Sequence, residues 1–463
     1  MRVSFITLCI ASLSLIAADP ARSQQKAEAQ QPSEGSARET QNEIGETYRI
    51  TAETLPQPYA EGSVRNPPVI LPREGAKPAV PEGFEAQLFA SGLDGPRQIA
   101  FLPNGDALVS MQKGGFIMLL RDSDKDGKAD WIQRYSGGFN APYGIAYREG
   151  EVLVADQEGI WRIPHEEGRV RGSYGSPSPA SEVPPEERKP QANADRQELI
   201  TGKGVFGEIT GHRNRDLEIG PDGRLYVGVG SGGNIGVEPP VKATIQVFSA
   251  SGGSQDTVAK GMRNPTGLAF HPDTGDLWAV VQERDHMGDR LVPDYLANVK
   301  KGENYGWPYF YAGQKPQPEF EKIGQAQNDG GQKPKIAEPA LMFESHSAVM
   351  DIVFDNGKMF PEDYRGDAFV ALKGSWNRSE PTGYKIVRVP FENGKPSGGY
   401  ENFITGFWVS GEKRAEVWGR PADIAQAPDG SLYIVDDTGG TIWRVIAQKS
   451  TAQQEKKKNG RKS

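Results

Sequence analysis

The 463-residue chain has one cysteine, Cys9, and it lies inside an N-terminal apolar run. Everything after it is expected to make neither disulfides nor a thiolate metal site. Long helical periods are scarce, whereas glycine (56) and proline (35) are abundant, which excludes a helical bundle and favours short strands joined by turns. The formal net charge of −8 implies no basic face and excludes a general nucleic-acid binder. No apolar run is long enough to span a bilayer. Neither a nucleotide-binding glycine fingerprint nor a Ser-His-Asp nucleophile elbow occurs. Hydride chemistry would therefore need a cofactor other than a nicotinamide on a Rossmann fold.

The ends differ from the middle in composition. Residues 1–23 read as a secretory signal, with Arg2 as the positive start and an apolar stretch from Phe5 to Ala18. Export to the periplasm or the medium is the expected destination, with no integral membrane segment in the mature chain. Residues 24–46 are rich in Gln, Glu, Ala and Ser and read as a disordered linker. Residues 47–80 read as a proline-rich extended arm, and 447–463 as a disordered basic tail.

Residues 81–446 are organised around the stretch 211–234, in which His212 precedes an alternating run, a Pro221-Asp222-Gly223 turn and a second run ending at Asn234. Alternation on both sides of a Pro-Asp-Gly turn is a hairpin signal. The same unit recurs six times: around Pro96–Ser110, Pro142–Asp156, Arg215–Val227, Arg263–Val280, Met350–Leu372 and Arg420–Val435. Repetition with irregular insertions predicts an all-β, six-bladed β-propeller with long loop insertions at the channel mouth. A two-sheet sandwich would not need one hairpin six times. Residues 283–344 are the longer insertion, and the aromatics of 304–311 predict a packed loop over the mouth.

Several residue sets suit chemistry. His212 sits where a loop enters a strand, which lifts it above the other histidines, and Asn234 sits where a loop leaves one. Arg215, Arg263, Lys373 and Arg420 occupy the same place in different repeats, beside the strand expected to line the channel. Converging cations imply an anionic ligand, because unpaired buried charge is costly. The competing reading pairs them with Asp216, Asp351 or Asp423. The loop after the fourth inner hairpin, with Gln282, Glu283, Arg284 and Asp289, offers carboxylate and carbonyl oxygens suited to calcium. Asp122, Asp124, Asp126 and Asp130 match the first positions of a calcium loop with glycine sixth. Gln133 stands where the twelfth-position glutamate belongs, so this is either a structural calcium site or a plain acidic turn.

Taken together, the motifs Gly211-His212-x-x-Arg215, Gly230-Ser231-x-x-Asn234, Arg263-Asn264-Pro265-x-Gly267, Glu283-Arg284-Asp285, Tyr305-Gly306-Trp307-Pro308, Gly374-Ser375-Trp376-Asn377-Arg378 and Gly419-Arg420-Pro421 resemble the glucose/sorbosone dehydrogenases. These use pyrroloquinoline quinone (PQQ), and the likeness is greatest to the L-sorbosone dehydrogenase branch. The resemblance implies a six-bladed propeller holding PQQ and calcium at the channel mouth. By it, His212 is the general base, and Arg263, Lys373 and Arg420 bind the cofactor's carboxylates and quinone oxygens. Asn264 bonds the cofactor, with Arg215 and Asn234 beside it, and the loop from Gln282 through Arg284 supplies calcium ligands, partly from its backbone. The implied activity is oxidation of an aldose, a sorbosone-like aldehyde or a polyol, with electrons passing to a cytochrome or a quinone.

The sequence departs from that pattern in places. Gln282 stands where the branch commonly has asparagine, Lys373 where many members have histidine, Ala422 where glucose-oxidising members have a second arginine, and Gly233 where cysteine is frequent. Two other classes fit a propeller: a calcium-dependent lactonase, which needs carboxylates around one channel metal, and a non-catalytic binding module.

Overall fold

The computed structural model describes residues 42–165, 198–320 and 335–448. The expected signal (1–23), most of the linker and the tail beyond 448 lie outside these residues, as do residues 166–197 and 321–334.

The described chain is built from strands with three short 3-10 turns. Six antiparallel sheets account for most of it, each begun by one of the repeated hairpins. Their first strands are Pro96–Phe101, Ile145–Arg148, Leu217–Ile219, Asn264–Phe270, Val349–Phe354 and Pro421–Gln426. Each neighbours the next in sequence, and Pro421–Gln426 returns to contact Pro96–Phe101. The sixth sheet is completed from the far end of the chain. Its outer strand is Phe84–Ala90, paired with Thr441–Ala447, so residues from both ends of the domain close one sheet.

The first strands are joined by hydrogen bonds in which a side chain or carbonyl of one strand meets the main chain of the next. Gln98 Oε1 accepts from Ile145 N (2.9 Å), and the Arg215 carbonyl accepts from Gly144 N (3.1 Å). Asp216 Oδ2 accepts from Leu268 N (2.6 Å), and Thr266 Oγ1 donates to the Val349 carbonyl (2.9 Å). Asp351 Oδ2 accepts from Ile424 N (3.3 Å), and Asp423 Oδ2 from Ile99 N (2.8 Å). A buried N–H left unpaired would cost as much as a lost hydrogen bond, so these side chains replace the ladder that converging strands cannot form. Two glycines let the backbones approach. A Cβ on Gly144 would lie 2.4 Å from the Arg215 carbonyl oxygen, and one on Gly267 2.5 Å from Asp351 Cα.

These aspartates therefore do not serve the role the competing sequence reading gave them. Among the described residues, none of Arg215, Arg263, Lys373 or Arg420 makes an ion pair with Asp216, Asp351 or Asp423. They are structural acceptors, with main-chain N–H groups as their partners.

Residues 283–344 are more than a loop. They supply Pro293–Val299, the third strand of the fourth sheet, and run into its fourth, Leu341–Ser345. Charged flanks hid the strand Pro-Asp-Tyr-Leu-Ala-Asn-Val from pattern reading. Tyr305, Trp307, Phe310 and Tyr311 in the same segment are buried. His271, just before the Pro272-Asp273 turn, is also buried, against Phe354 and Phe391. The arm adds edge strands: Thr47–Tyr48 extends the fifth sheet, and Val69–Ile70 runs parallel to Glu416–Val417.

The hub carboxyls set a pH dependence. Asp423 is pushed up to about 8 by burial, and its Oδ1 lacks a conventional partner beside Asp351, which burial and Asp423 raise well above the usual range. Two carboxyls in such contact share a proton. The surrounding charges are Asp216 and Glu218 on the third sheet and Arg97 on the first. The folded state thus holds protons that an unfolded aspartate (pKa about 3.9) releases. Stability from this source is complete below that value and is lost as pH rises through the folded value near 8. Melting temperature should fall between pH 5 and 9, and the fall should be shallower in Asp423→Asn; equal slopes would refute the shared proton.

Candidate functional site

The site lies where the first strands begin and their hairpin partners end. His212 occupies the approach to Leu217–Ile219, and Ser231 follows the partner strand Leu225–Val229. The His212 ring is 3.0 Å from the Ser231 carbonyl through Nδ1, with Ser231 Oγ at 3.1 Å. A carbonyl accepts only, so Nδ1 carries the proton and Nε2 the lone pair. Burial, then the Arg263 charge, push the imidazole down to about 4, so it is neutral at pH 7. Gly230 sits between His212 and Asn264: a Cβ there would lie 2.6 Å from His212 Cβ and 2.4 Å from Asn264 Oδ1.

Arg263 is buried and held at three points. Its Nε donates to the Asn234 carbonyl (3.0 Å), one terminal nitrogen to Asn234 Oδ1 (3.0 Å) and the other to the Glu283 carbonyl (2.7 Å). Asn234 also brackets Asp285, taking its N–H at 2.8 Å and donating to its carbonyl at 3.0 Å. Asn234 is thus a clamp that fixes Arg263 against the loop after the fourth sheet's second strand. Asp285 in turn accepts from Asn377 (2.6 Å) and lies 3.7 Å from His346.

Asn264 donates to Gln282 Oε1 (3.0 Å), and its own Oδ1 is buried without a partner. Gln282 donates to the Val349 carbonyl (2.7 Å). Lys373 and Arg97 both pair with Asp437, while Arg420 donates to the carbonyls of Lys373 (3.1 Å) and Gly374 (2.7 Å) and lies over the Tyr384 ring. Three cations thus converge where one carboxylate is in ion-pair range. Burial, then Arg97, push Lys373 down to about 7, although Asp437 opposes this. Asp437 feels burial as well, yet Lys373 and Arg97 hold it down to about 2. Arg97 also reaches Asn214 (3.5 Å), linking this cluster to the His212 loop.

Other expected residues are placed differently. Arg215 is fully buried; its guanidinium donates to the His212 carbonyl (3.1 Å) and packs over Phe206, so it braces the loop from behind. Arg284 turns to Gln317 (3.1 Å) and Glu319 (2.7 Å). Glu283 is buried and pushed up to about 8, chiefly by burial, and its carbonyl is taken by Arg263. Asp289 accepts from the N–H and hydroxyl of Ser379, both at 2.6 Å. The structure therefore groups Gln282 with Asn264, and sends Arg284 and Asp289 to other partners. Carboxylate oxygens of Asp122, Asp124 and Asp126 lie within 4.8 Å of one another, whereas Asp130 is tied back to Ser123.

Sequence reasoning missed Arg97 and Asp437, and named Asp285 and Asn377 only as members of motifs, without the contact they make with each other. Arg97 was findable, because Gly95-Pro96-Arg97 and Gly419-Arg420-Pro421 are the same junction with two residues exchanged.

With this geometry in place, comparison with known proteins is informative. Residues 186–448, more than half of the chain, match the TrAA12-like family, and the chain belongs to it. An uncharacterised protein of Borreliella burgdorferi is 25% identical over 379 residues, covering 80% of this chain and 91% of that one. The calcium structure of a Trichoderma reesei carbohydrate-active enzyme of family AA12 superposes with a TM-score of 0.61 at 20% identity, over 83% of this chain and 99% of that one. The holo form of the PQQ domain of Coprinopsis cinerea pyranose dehydrogenase gives 0.59 at 19% identity, over 86% and 100%. At these identities, both structures speak for the fold.

The depressed imidazole is directly testable. In the protein without ligand, His212 should titrate near 4 by NMR, and Arg263→Gln should move it upward by removing a neighbouring positive charge. A His212 titration unchanged by Arg263→Gln would show burial alone to be responsible.

Proposed function

We propose that this protein is an exported PQQ-dependent dehydrogenase that oxidises an aldose or a related aldehyde or polyol, on a six-bladed β-propeller whose blades are the six sheets. The observation that carries the reading is the pairing of Arg97 and Lys373 with a single carboxylate, Asp437, while Arg420 is held on the carbonyls of Lys373 and Gly374, together with a neutral His212 whose lone pair is on Nε2. Family membership and the Coprinopsis cinerea PQQ domain among its structural relatives support the same cofactor.

The residues fit a polyanionic ligand. Excess positive charge around Asp437 suits several carboxylates, and the orphaned Asn264 Oδ1 is an acceptor awaiting a donor. PQQ, when bound, supplies a two-electron acceptor for the hydride that leaves the substrate carbon. Lys373 and Arg420, with Arg263 locked in place by Asn234, would hold its acidic and carbonyl oxygens. His212 Nε2 takes the proton of the substrate hydroxyl as the C–H bond breaks. A pKa of about 4 makes a weak base, and negative charge placed against Arg263 would lift it towards the range suited to proton transfer.

Calcium belongs to the same reading. The Trichoderma reesei relative has a calcium structure. Here, the Gln282 amide oxygen and the Glu283 carbonyl are engaged by Asn264 and Arg263, so no step is assigned to a metal at that loop. The Asp122–Asp126 turn is the more oxygen-rich place. The electron acceptor in this proposal is a cytochrome or a quinone. Among the described residues, no helix is long and apolar enough to cross a membrane.

Titration of the purified protein with PQQ, following dye reduction with a panel of aldoses, tests the assignment. Saturable activity is expected, and His212→Ala should lower it about 10²- to 10⁴-fold while PQQ still binds. Absence of PQQ binding to the wild type would overturn the cofactor.

A further inference from the structure

One buried titratable group near Arg263 has no part in the chemistry above. His346, 7% exposed, follows Leu341–Ser345, the fourth strand of the fourth sheet. Its Nε2 lies 3.0 Å from the Gly288 carbonyl, and its Nδ1 lies 3.1 Å from Asn377 Nδ2. The same Asn377 nitrogen is 2.6 Å from Asp285 Oδ1. A carboxylate accepts only, so Asn377 presents its amide hydrogens to both neighbours, and His346 Nδ1 accepts one of them. The Gly288 carbonyl also accepts only, so the ring proton sits on Nε2. The neutral ring in this one tautomer satisfies every contact.

The contacts continue to Arg263. Asp285 Oδ2 lies 3.6 Å from a terminal nitrogen of Arg263, and the Asp285 N–H donates to the Asn234 side chain that also grips Arg263. A second proton on His346, taken from solvent at Nδ1, sets a donor against the Asn377 donor. Asp285 Oδ1, 3.7 Å away, is the carboxylate that can accept it. Asp285 then turns from Arg263 to the imidazolium, and Arg263 loses part of the negative charge beside it. The other charges around the ring are committed elsewhere. Asp294, on the third strand of the same sheet, accepts from Val349 N (3.3 Å) and Ser347 Oγ (3.4 Å), and Arg378 pairs with Glu344 at 3.3 Å. Burial lowers the His346 pKa, but Asp285, the Gly288 carbonyl and Asp294 outweigh it, so the value stands above that of an ordinary histidine.

We propose that His346 is a positioning residue whose protonation, relayed through Asn377 and Asp285, frees Arg263 to bind an anionic ligand. Neutral His346 leaves Asp285 beside Arg263 and the anion site partly self-neutralised. The imidazolium draws Asp285 to itself and leaves Arg263 with charge to spare. The choice of anion rests on the PQQ reading, whereas the relay is a property of the protein alone.

NMR of the full-length protein without ligand tests the relay. The Arg263 Nε–H signal should shift with the midpoint of the His346 ring. That shift should vanish in His346→Gln, whose amide can still donate to the Gly288 carbonyl but cannot titrate. Asp285→Asn should lower the His346 midpoint, because it removes a carboxylate that raises it, and should also flatten the Arg263 response. PQQ should bind about fivefold more tightly on the acid side of that midpoint than on the alkaline side. His346→Gln should keep only the part of this dependence that comes from Lys373, whose pKa is about 7. An Arg263 signal that stays constant while His346 titrates, or a pH dependence of PQQ binding unchanged in His346→Gln, would overturn the proposal. If Arg263 follows His346 and no PQQ binds, the dehydrogenase reading alone fails; if PQQ is bound and reduced while Arg263 stays constant, the relay alone fails.

Discussion

Hydrogen bonds between neighbouring first strands are the constraint from which the rest of this structure follows. Six first strands that touch their neighbours yet belong to separate sheets share no continuous ladders, so each junction recruits a side chain or a carbonyl: Gln98, Arg215, Asp216, Thr266, Asp351 and Asp423 in turn. Because these acceptors are short and buried, the strand starts are fixed to within the tolerance of a hydrogen bond. The candidate side chains sit at or within five residues before those starts, or just after the partner strands. Their positions are inherited from the hub, whereas loop packing alone would leave them loose.

The same economy explains why so few site residues act alone. Asn234 orients Arg263, and Asp285 ties Asn234 to Asn377 and so joins the third, fourth and fifth sheets. Asp437 plays the matching part on the other side, drawing Arg97 of the first sheet and Lys373 of the fifth to one carboxylate. Such side chains restrain a polar cluster that would otherwise pay rotamer entropy on binding a ligand. Channel carboxylates are also present, which a lactonase would need, but Asp216, Asp351 and Asp423 are each occupied by main-chain N–H groups.

Much of this was legible in the chain. The hairpin repeat was visible because every copy keeps an apolar alternation around a Pro-Asp-Gly or related turn, and the turn chemistry is local. His212 was visible from its place at a strand entry. The function of the neighbouring aspartates was not, because an aspartate that accepts a backbone N–H has the same sequence appearance as one that pairs with arginine. Arg215 shares its repeat position with Arg420, yet its side chain lies behind the loop, over Phe206, which repeat position alone could not show. Strand Pro293–Val299 was hidden by charged flanks, since membership of a sheet there depends on partners fixed far away in sequence.

Pairing of Phe84–Ala90 with Thr441–Ala447 has a consequence for how the chain is made. The sixth sheet needs strands that flank, in the chain, the first strands of the other five large sheets. Until Ala447 is available, Phe84–Ala90 has an unsatisfied edge and an alternating apolar face, which is the kind of segment that pairs with strangers. The sixth sheet is therefore completed late in synthesis, when Thr441–Ala447 emerges. A protease or a frameshift that removes that strand would do more than trim a terminus: it would leave Phe84–Ala90 and Leu432–Asp436 each with a free edge.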